Sequence, residues 1–369
     1  ILSSSCFGCE NINFSEPQCV TPDASANISK EIESVIQYYV DNESFQGNVL
    51  IAQHGNLLHR SAYGYADIAN KAKAEIDTAF LIGSLTKSFT AITVLQLVDE
   101  GKLDLYAPIT RYIPELAPHL AKGLNLHLLL KQQTGLPMHL ERLTELQDKV
   151  ISSDDILRII NTATLAFAAG ERYEYSNLNF HLAAIAIERI TGKSYAQVLQ
   201  ERSFGPLNMN RSGIERFGQR AIRRANGYFK QEHAAEHVEN NVSYALGSGD
   251  IYSTIDDLLL WDKALKGEKY LSANSKIMLF SGESEALGYY GYGFRIQPYQ
   301  RASSASPRGQ LIRHGGSMDG FLSNYHHYVE DDLTIIVLGN IRPFNIRQMT
   351  YQLKEAALGS KRQRSGKLE

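Results

Sequence analysis

Cysteine is missing from almost the whole chain. Cys6, Cys9 and Cys19 are the only three among 369 residues, and all lie at the N-terminal end. A reduced intracellular protein ordinarily scatters thiols through its core. Their absence there reads as an exported protein, periplasmic or associated with the cell envelope, with a cysteine-bearing segment ahead of its domain. Two readings of that segment stay open. "ILSSSC" is loosely like the end of a lipoprotein signal with Cys6 as the lipid-bearing residue, although Ser3 stands where an aliphatic residue is expected. The other reading is one disulfide and a spare thiol. Cys6-x-x-Cys9 does not make a metal site, since Cys19 is the only further sulfur and no histidine lies near. No charged signal-peptide start is visible. No run of eighteen apolar residues occurs, which excludes a helical membrane span. An excess of positive charge is lacking too: 37 basic against 40 acidic residues leave a net charge of −3. That excludes the basic field a nucleic-acid partner calls for. The one basic stretch, "SKRQRSGKLE" at the C-terminus, reads as a solvated tail.

What is present suits a sizeable core. With 43% hydrophobic and 21% charged residues the chain is of ordinary globular composition, and its length predicts two lobes or one domain with a large insertion. Ile28, Ile32, Val35, Ile36 and Tyr39 recur at helical spacing. Two β-rich runs flank His54-Gly55-Asn56 as a hairpin, and a helix follows over 81–100 with Gly101 to close it. From 106 to 235 proline-containing loops separate helical patterns at 125–131, 153–162, 178–191 and 194–202. "STIDDLLLWDKALKG" is a helix with a Ser or Thr cap. Strands return in "YGYGFRIQPY", "QLIRHGG", "FLSNYHHYV" and "LTIIVLGN", and a helix over about 345–357 ends the pattern. The expectation is an α/β (α+β) fold: an antiparallel sheet flanked by helices, built from residues 27–105 and 236–358, with a helical lobe over 106–235 inserted. Residues 1–26 are expected to be an irregular leader and 359–369 a disordered tail.

Within the 81–100 helix, Ser84 and Lys87 sit one turn apart on a segment that is otherwise apolar all round. Residues at i and i+3 of a helix face one another at about 5–6 Å. A helix apolar on every side is buried, and burial lowers a lysine pKa until a neutral amine is available as base for a serine nucleophile. Ser84 at the first turn also meets the unpaired N–H groups of the helix start. Ser-x-x-Lys is a common pattern by itself, and a capping serine with a surface lysine would explain it equally. Two further stretches weigh against that. Tyr175-Ser176-Asn177 precedes a helix, where a phenol and an amide can relay a proton and hold a carbonyl. His314-Gly315-Gly316 ends a strand whose glycines let a substrate lie close, so that the Ser317 N–H can join that of Ser84 as an oxyanion hole.

Taken in order, Ser84-x-x-Lys87, Tyr175-x-Asn177 and His314-x-Gly316 resemble the signature of the serine β-lactamase and penicillin-binding-protein superfamily. "FLIGSLTKSFTAITVLQLVDEGKLDLYAPITRYIPE", "ERYEYSNLNFHLAAIAIERITGKSYAQVLQERSFGPLNM", "ALGSGDIYSTIDDLLLWDKAL" and "HGGSMDGF" are similar to the class C β-lactamase-related group, over roughly residues 30 to 357. The resemblance implies that Ser84 is acylated and that Lys87 is its base or proton partner. Tyr175 would relay protons, Asn177 would orient Lys87 and bind the substrate amide, and Gly316 with Ser317 would shape the oxyanion strand. Which of Lys87 and Tyr175 is the base in each step stays open. His314 stands where true β-lactamases of this type carry lysine, which favours a D-amino-acid peptidase, carboxypeptidase or esterase over an efficient β-lactamase. The implied substrate is a D-amino-acid peptide, ester or β-lactam, with no cofactor. A weak class C-like β-lactamase, and a penicillin-binding sensor that acylates without turnover, are the alternatives. Lys131-Gln132-Gln133 departs from the group's usual residues and is expected to be a structural loop, with lining of the site as the alternative. Tyr289, Tyr290, Tyr292 and Phe294 are expected to pair in a sheet, with substrate stacking as the alternative, and His326-His327 to be strand positions facing opposite ways. Ser248 and Asp250 are expected in a turn against the Ser84 helix.

Overall fold

The computed structural model describes residues 22–359 except 233, 283 and 302–305. The three cysteines of the expected leader and residues 360–369 of the basic tail lie outside the described residues. Helix α1 spans Pro22–Glu43. It begins six residues before the apolar periodicity does, because its first turns are polar and only Pro22, suited to a first turn that needs no N–H, marks them. Strands β1 (Gly47–Gln53) and β2 (Asn56–Tyr63) form the expected hairpin, with Gln53 paired to Asn56. Its two turn residues, His54 and Gly55, both have positive φ, as a tight two-residue turn between twisted strands requires.

The 81–100 segment is not one α-helix. A 3₁₀ turn, Gly83–Leu85, precedes helix α2 (Thr86–Asp99). Gly83 has φ +51, which a regular helix cannot accommodate, so the chain turns there before winding up. At the other end Gly101 is left-handed and its N–H donates to Val98 O, closing α2 as expected. Helix α3 (Asn177–Thr191) and helix α4 (Ile255–Lys266, capped by Thr254) follow. The chain then runs through β3 (Arg295–Gln300), β4 (Arg308–Met318), β5 (Phe321–Tyr328) and β6 (Leu333–Gly339) to helix α5 (Ile346–Ala357).

These strands make one antiparallel six-stranded sheet in the order β3-β4-β5-β6-β1-β2. The hairpin from the start of the chain therefore pairs with strands from its end, Gly47 opposite Gly339 and Gln53 opposite Leu333. Six of seven β1 residues and all of β6 are buried, which explains their unbroken apolar runs. One face carries α1 and α5, with Ile36, Tyr39, Val49, Ile335 and Leu353 in a shared core. The other face carries α4 and α2, where Phe89 stacks on Trp261 at 4.7 Å between ring centroids. That second core runs on without a break through Leu126, Ile156 and Phe180 of the helical segment.

Two details depart from the expected elements. Short strands at Gly213–Ile214 and Gly227–Lys230 lie within the span read as helical, and a further helix occupies Ala273–Leu279. Gly213–Ile214 pairs with Ile251–Ser253, far along the chain, so no local alternation announces it, whereas Gly227–Lys230 pairs both with Ile341–Arg342 and, as a local hairpin, with Ala235–Val238. Among the described residues no helix is long and apolar enough to cross a membrane.

Candidate active site

Gly83 tucks against β4. A Cβ there would stand 2.8 Å from the Ser317 nitrogen, so the turn that carries Ser84 and the strand that carries Ser317 are in backbone contact. The next residues enter α2, whose first turn is buried on every side. Lys87 is fully buried, with its Nζ donating to Ser84 Oγ at 3.1 Å and to the Ser248 carbonyl at 2.8 Å. It lies 5.0 Å from the centre of the Tyr175 ring. Burial holds its pKa well below the ordinary lysine value, and the negative charge of Asp250 only partly offsets this. Desolvation therefore favours the uncharged form of the amine facing Ser84.

Tyr175 reaches the site from the loop before α3. That loop is held by Gln132, a buried residue at φ +61 whose Oε1 accepts from Ser176 N (2.9 Å) and from Asn179 Nδ2 (2.5 Å). Gln132 is thus the structural residue expected of its segment. Ser176 caps α3 by accepting from Leu178 N. Burial raises the Tyr175 phenol above its ordinary value, the Ser84 hydroxyl bonded to it acting the other way. It is a neutral phenol in the physiological range. Ser248 and Asp250 form the expected turn against α2: Gly247 N donates to Asp250 Oδ1 at 3.0 Å, and Ile251 N to Thr86 Oγ1 at 3.2 Å.

Ser84, Tyr175, Asn177 and Ser317 line one cleft of about 640 Å³. His314 and Gly316 stand behind it. His314 is 5% exposed, its Nδ1 donates to the Gly315 carbonyl at 2.6 Å, and its Nε2 accepts from the Tyr290 hydroxyl at 3.0 Å. Both ring nitrogens are occupied, and burial with the nearby Lys87 lowers its pKa to about 3. The space beside Gly316 belongs to the protein's own chain rather than to a substrate, because a Cβ there would fall 1.9 Å from the Ile82 carbonyl oxygen. Asn177 donates to His139 Nδ1 at 2.9 Å and makes no bond to Lys87, whose carbonyl partner is Ser248. The Asn177 Oδ1 is buried without a hydrogen-bond partner.

Sequence reasoning missed His139, which lines the cleft, and the placement of Tyr290 against His314. The aromatic run around Tyr290 is a turn ahead of β3 that pairs only through an isolated bridge from Tyr290 to Arg295, and it brings Tyr290 against His314 and Tyr175. Its glycines, Gly291 and Gly293, were the available signal. A Cβ on Gly293 would stand 2.7 Å from the Lys87 carbonyl oxygen, so the run packs on α2 through its backbone. His326 and His327 are buried strand positions bonded to Tyr328 and Thr334.

A family profile described as Beta-lactamase matches residues 32–358. The chain belongs to the beta-lactamase family. Among its curated relatives is "Penicillin-binding protein 4*" of Bacillus subtilis (strain 168), 27% identical over 85% of this chain and 72% of that protein. "Protein flp" of Staphylococcus aureus (strain MW2) is 25% identical over 90% of this chain and 67% of its own length. The beta-lactamase fold is shared with the crystal structure of D-amino acid amidase from Ochrobactrum anthropi SV3 complexed with L-phenylalanine amide. That likeness has TM-score 0.77 and 24% identity, and covers 90% of this chain and 99% of that one. At this identity it establishes the architecture.

The buried histidines have a consequence for stability in this beta-lactamase-family chain. His181 is lowered to about 4 and His314 to about 3, in both cases chiefly by burial. The unfolded chain takes up protons at these positions near pH 6.5, while the folded chain refuses them until pH 3–4. Unfolding therefore binds protons below 6.5, and stability falls as pH drops from there. Asp250, raised to about 7 by burial, works the other way between its ordinary 3.8 and 7. Burial lowers four further histidines, His59, His139, His326 and His327, and raises one further carboxylate, Asp257, so six histidines against two carboxylates leave a net loss. The urea midpoint is expected to fall between pH 6.5 and 4.5, with a shallower fall in His181→Gln; a flat or rising midpoint would contradict the assignment.

Proposed function

We propose that the chain is an exported serine hydrolase that works through an acyl-enzyme on Ser84, with an amide, peptide or ester as acyl donor. The observation that carries this reading is the 3.1 Å contact between Ser84 Oγ and the desolvated amine of Lys87. Ser84 Oγ attacks the carbonyl as its proton passes to the neutral Lys87 amine. The oxyanion sits against the adjoining backbone of Ser84 and Ser317. Collapse breaks the bond to the leaving group, which takes a proton through Tyr175, a neutral phenol and hence a donor rather than the first base. Water then enters by the same route in reverse, releases the acid and restores Ser84. Asn177, with its unpartnered oxygen, supplies an acceptor for a substrate N–H. His314, neutral and enclosed, supports Tyr290 and the strand and contributes no charge for a substrate carboxylate. This supports an amidase, peptidase or esterase over a β-lactamase. The confinement of cysteine to the first nineteen residues supports export.

The test is incubation with a p-nitrophenyl ester and, separately, with a fluorescent penicillin, followed by peptide mass spectrometry. The expected result is ester turnover with a transient acyl adduct on the peptide containing Ser84. A stable adduct without turnover would mean a sensor instead, and an adduct elsewhere would remove Ser84 from the mechanism.

A further inference from the structure

The rim of the Ser84 cleft carries charge of one sign. Glu141, Asp148, Glu239 and Asp319 all line it, against Arg342 as the only guanidinium or ammonium among the described lining residues. Four carboxylates against one guanidinium leave an excess of three negative charges. Arg342 is itself committed: its Nη1 donates to Ser317 Oγ (2.9 Å) and Met318 O (3.1 Å), and it stands 3.9 Å from Asp319. Glu239 stands 3.5 Å from His237 and also lies within the electrostatic reach of Arg220. The basic residues adjoining Glu141 and Asp148 in sequence, Arg142 and Lys149, do not line the cleft.

The carboxylates come from three distant parts of the chain, and two asparagines tie those parts into a collar. Asn240 donates to the Asp319 carbonyl (2.7 Å) and accepts from the Asp319 N–H (3.1 Å). Asn241 donates to the carbonyls of Gln147 (2.6 Å) and Lys149 (2.9 Å), bracketing Asp148. The Gln147 N–H in turn donates to the Tyr244 hydroxyl at 3.1 Å. Below this collar the unpartnered Asn177 Oδ1 is a second, independent feature that calls for a donor. Like charges held by fixed backbone around a concave wall focus a field that concentrates counter-ions.

We propose that the acyl donor of this cleft is a cation, an amide or ester carrying a free ammonium group, and that donors carrying a carboxylate are disfavoured. The inference rests on the hydrolase reading above. It makes penicillins and peptides held through a C-terminal carboxylate poor substrates, and primary-amine-bearing amides and esters good ones. The acyl carbon–oxygen or carbon–nitrogen bond breaks as before; the ammonium takes no part in the bond changes.

The test uses three p-nitrophenyl esters of matched length on the full chain: 6-(trimethylammonio)hexanoate, heptanoate and adipate monoester. kcat/KM is expected to fall in the order cationic, neutral, anionic, with on the order of tenfold or more between the ends at low salt. The spread should shrink at 0.5 M salt, where exposed charges are screened. The cationic-to-anionic ratio should also drop towards unity in the double variant Glu141→Gln/Glu239→Gln. Turnover with equal rates, or with the anionic ester fastest, overturns the inference and leaves the hydrolase reading standing. Absence of turnover together with absence of a Ser84 adduct overturns both.

Discussion

Replacing Ser84 with alanine is expected to lower ester turnover by on the order of 10⁴-fold or more, because nucleophile and base act as one unit and the loss of either stops acylation. Lys87→Met is expected to come close to the same loss. Methionine fills the buried space without a base, and the Ser248 carbonyl that accepts from Lys87 at 2.8 Å loses its partner. The two effects should not add: the double variant should be about as slow as either single one. Burst kinetics with p-nitrophenyl acetate would measure this, since the acylation burst should vanish in all three while the thermal midpoint of Ser84→Ala stays near wild type. Retention of a tenth of the activity in Ser84→Ala would end the acyl-enzyme mechanism.

The second large effect is expected at Gly316, a residue that does not line the cleft. A valine there would drive its Cβ to within 1.9 Å of the Ile82 carbonyl oxygen, a backbone atom with nowhere to go, since Ser323 Oγ already holds it at 2.7 Å. The strand must move away from the Ser84 turn, and the two backbone segments that shape the oxyanion site separate. A misplacement of about 1 Å costs on the order of 10²-fold in rate, and overpacking of this kind costs about 1–3 kcal/mol of stability. Gly315→Ala is the control. Its Cβ would meet first the Asn324 amide oxygen at 3.2 Å, the end of a side chain that can shift. Steady-state kinetics and urea melts on both variants should separate them clearly. Equal behaviour of Gly315→Ala and Gly316→Val would refute the argument from backbone contact.

The contrast between these neighbours shows what a motif conveys. His314-x-Gly316 was legible as a site because histidine and glycine are unusual at the end of a buried strand. The reason for each residue was not. Gly316 looked like room for a substrate and is room for Ile82, whose carbonyl arrives from 234 residues earlier through sheet closure. His314 looked like a group facing the substrate and is enclosed by Tyr290 and its own strand. Tyr290 itself was seen, but the aromatic spacing that suggests a strand is equally that of a turn packed on α2 through Gly293. His139 carried no local signal at all, being an isolated histidine between Met138 and Leu140 that meets Asn177 only once α3 is capped and docked.

Local pattern by itself determined the elements that bury themselves: α2 with Lys87 sealed inside an apolar helix, the β1–β2 hairpin, and the unbroken runs of β1 and β6. It also determined the family, because Ser84, Lys87, Tyr175 and Asn177 stand on elements whose starts and ends are written in adjacent residues. Tertiary structure alone decided the depth of His314, the partner of Gly316 and the charge of the cleft. Those depend on where Glu141, Asp148, Glu239 and Asp319 meet in space. Electrostatic potential sums over distance in three dimensions, and residues spread over nearly 180 positions show no common sign until the fold brings them to one rim.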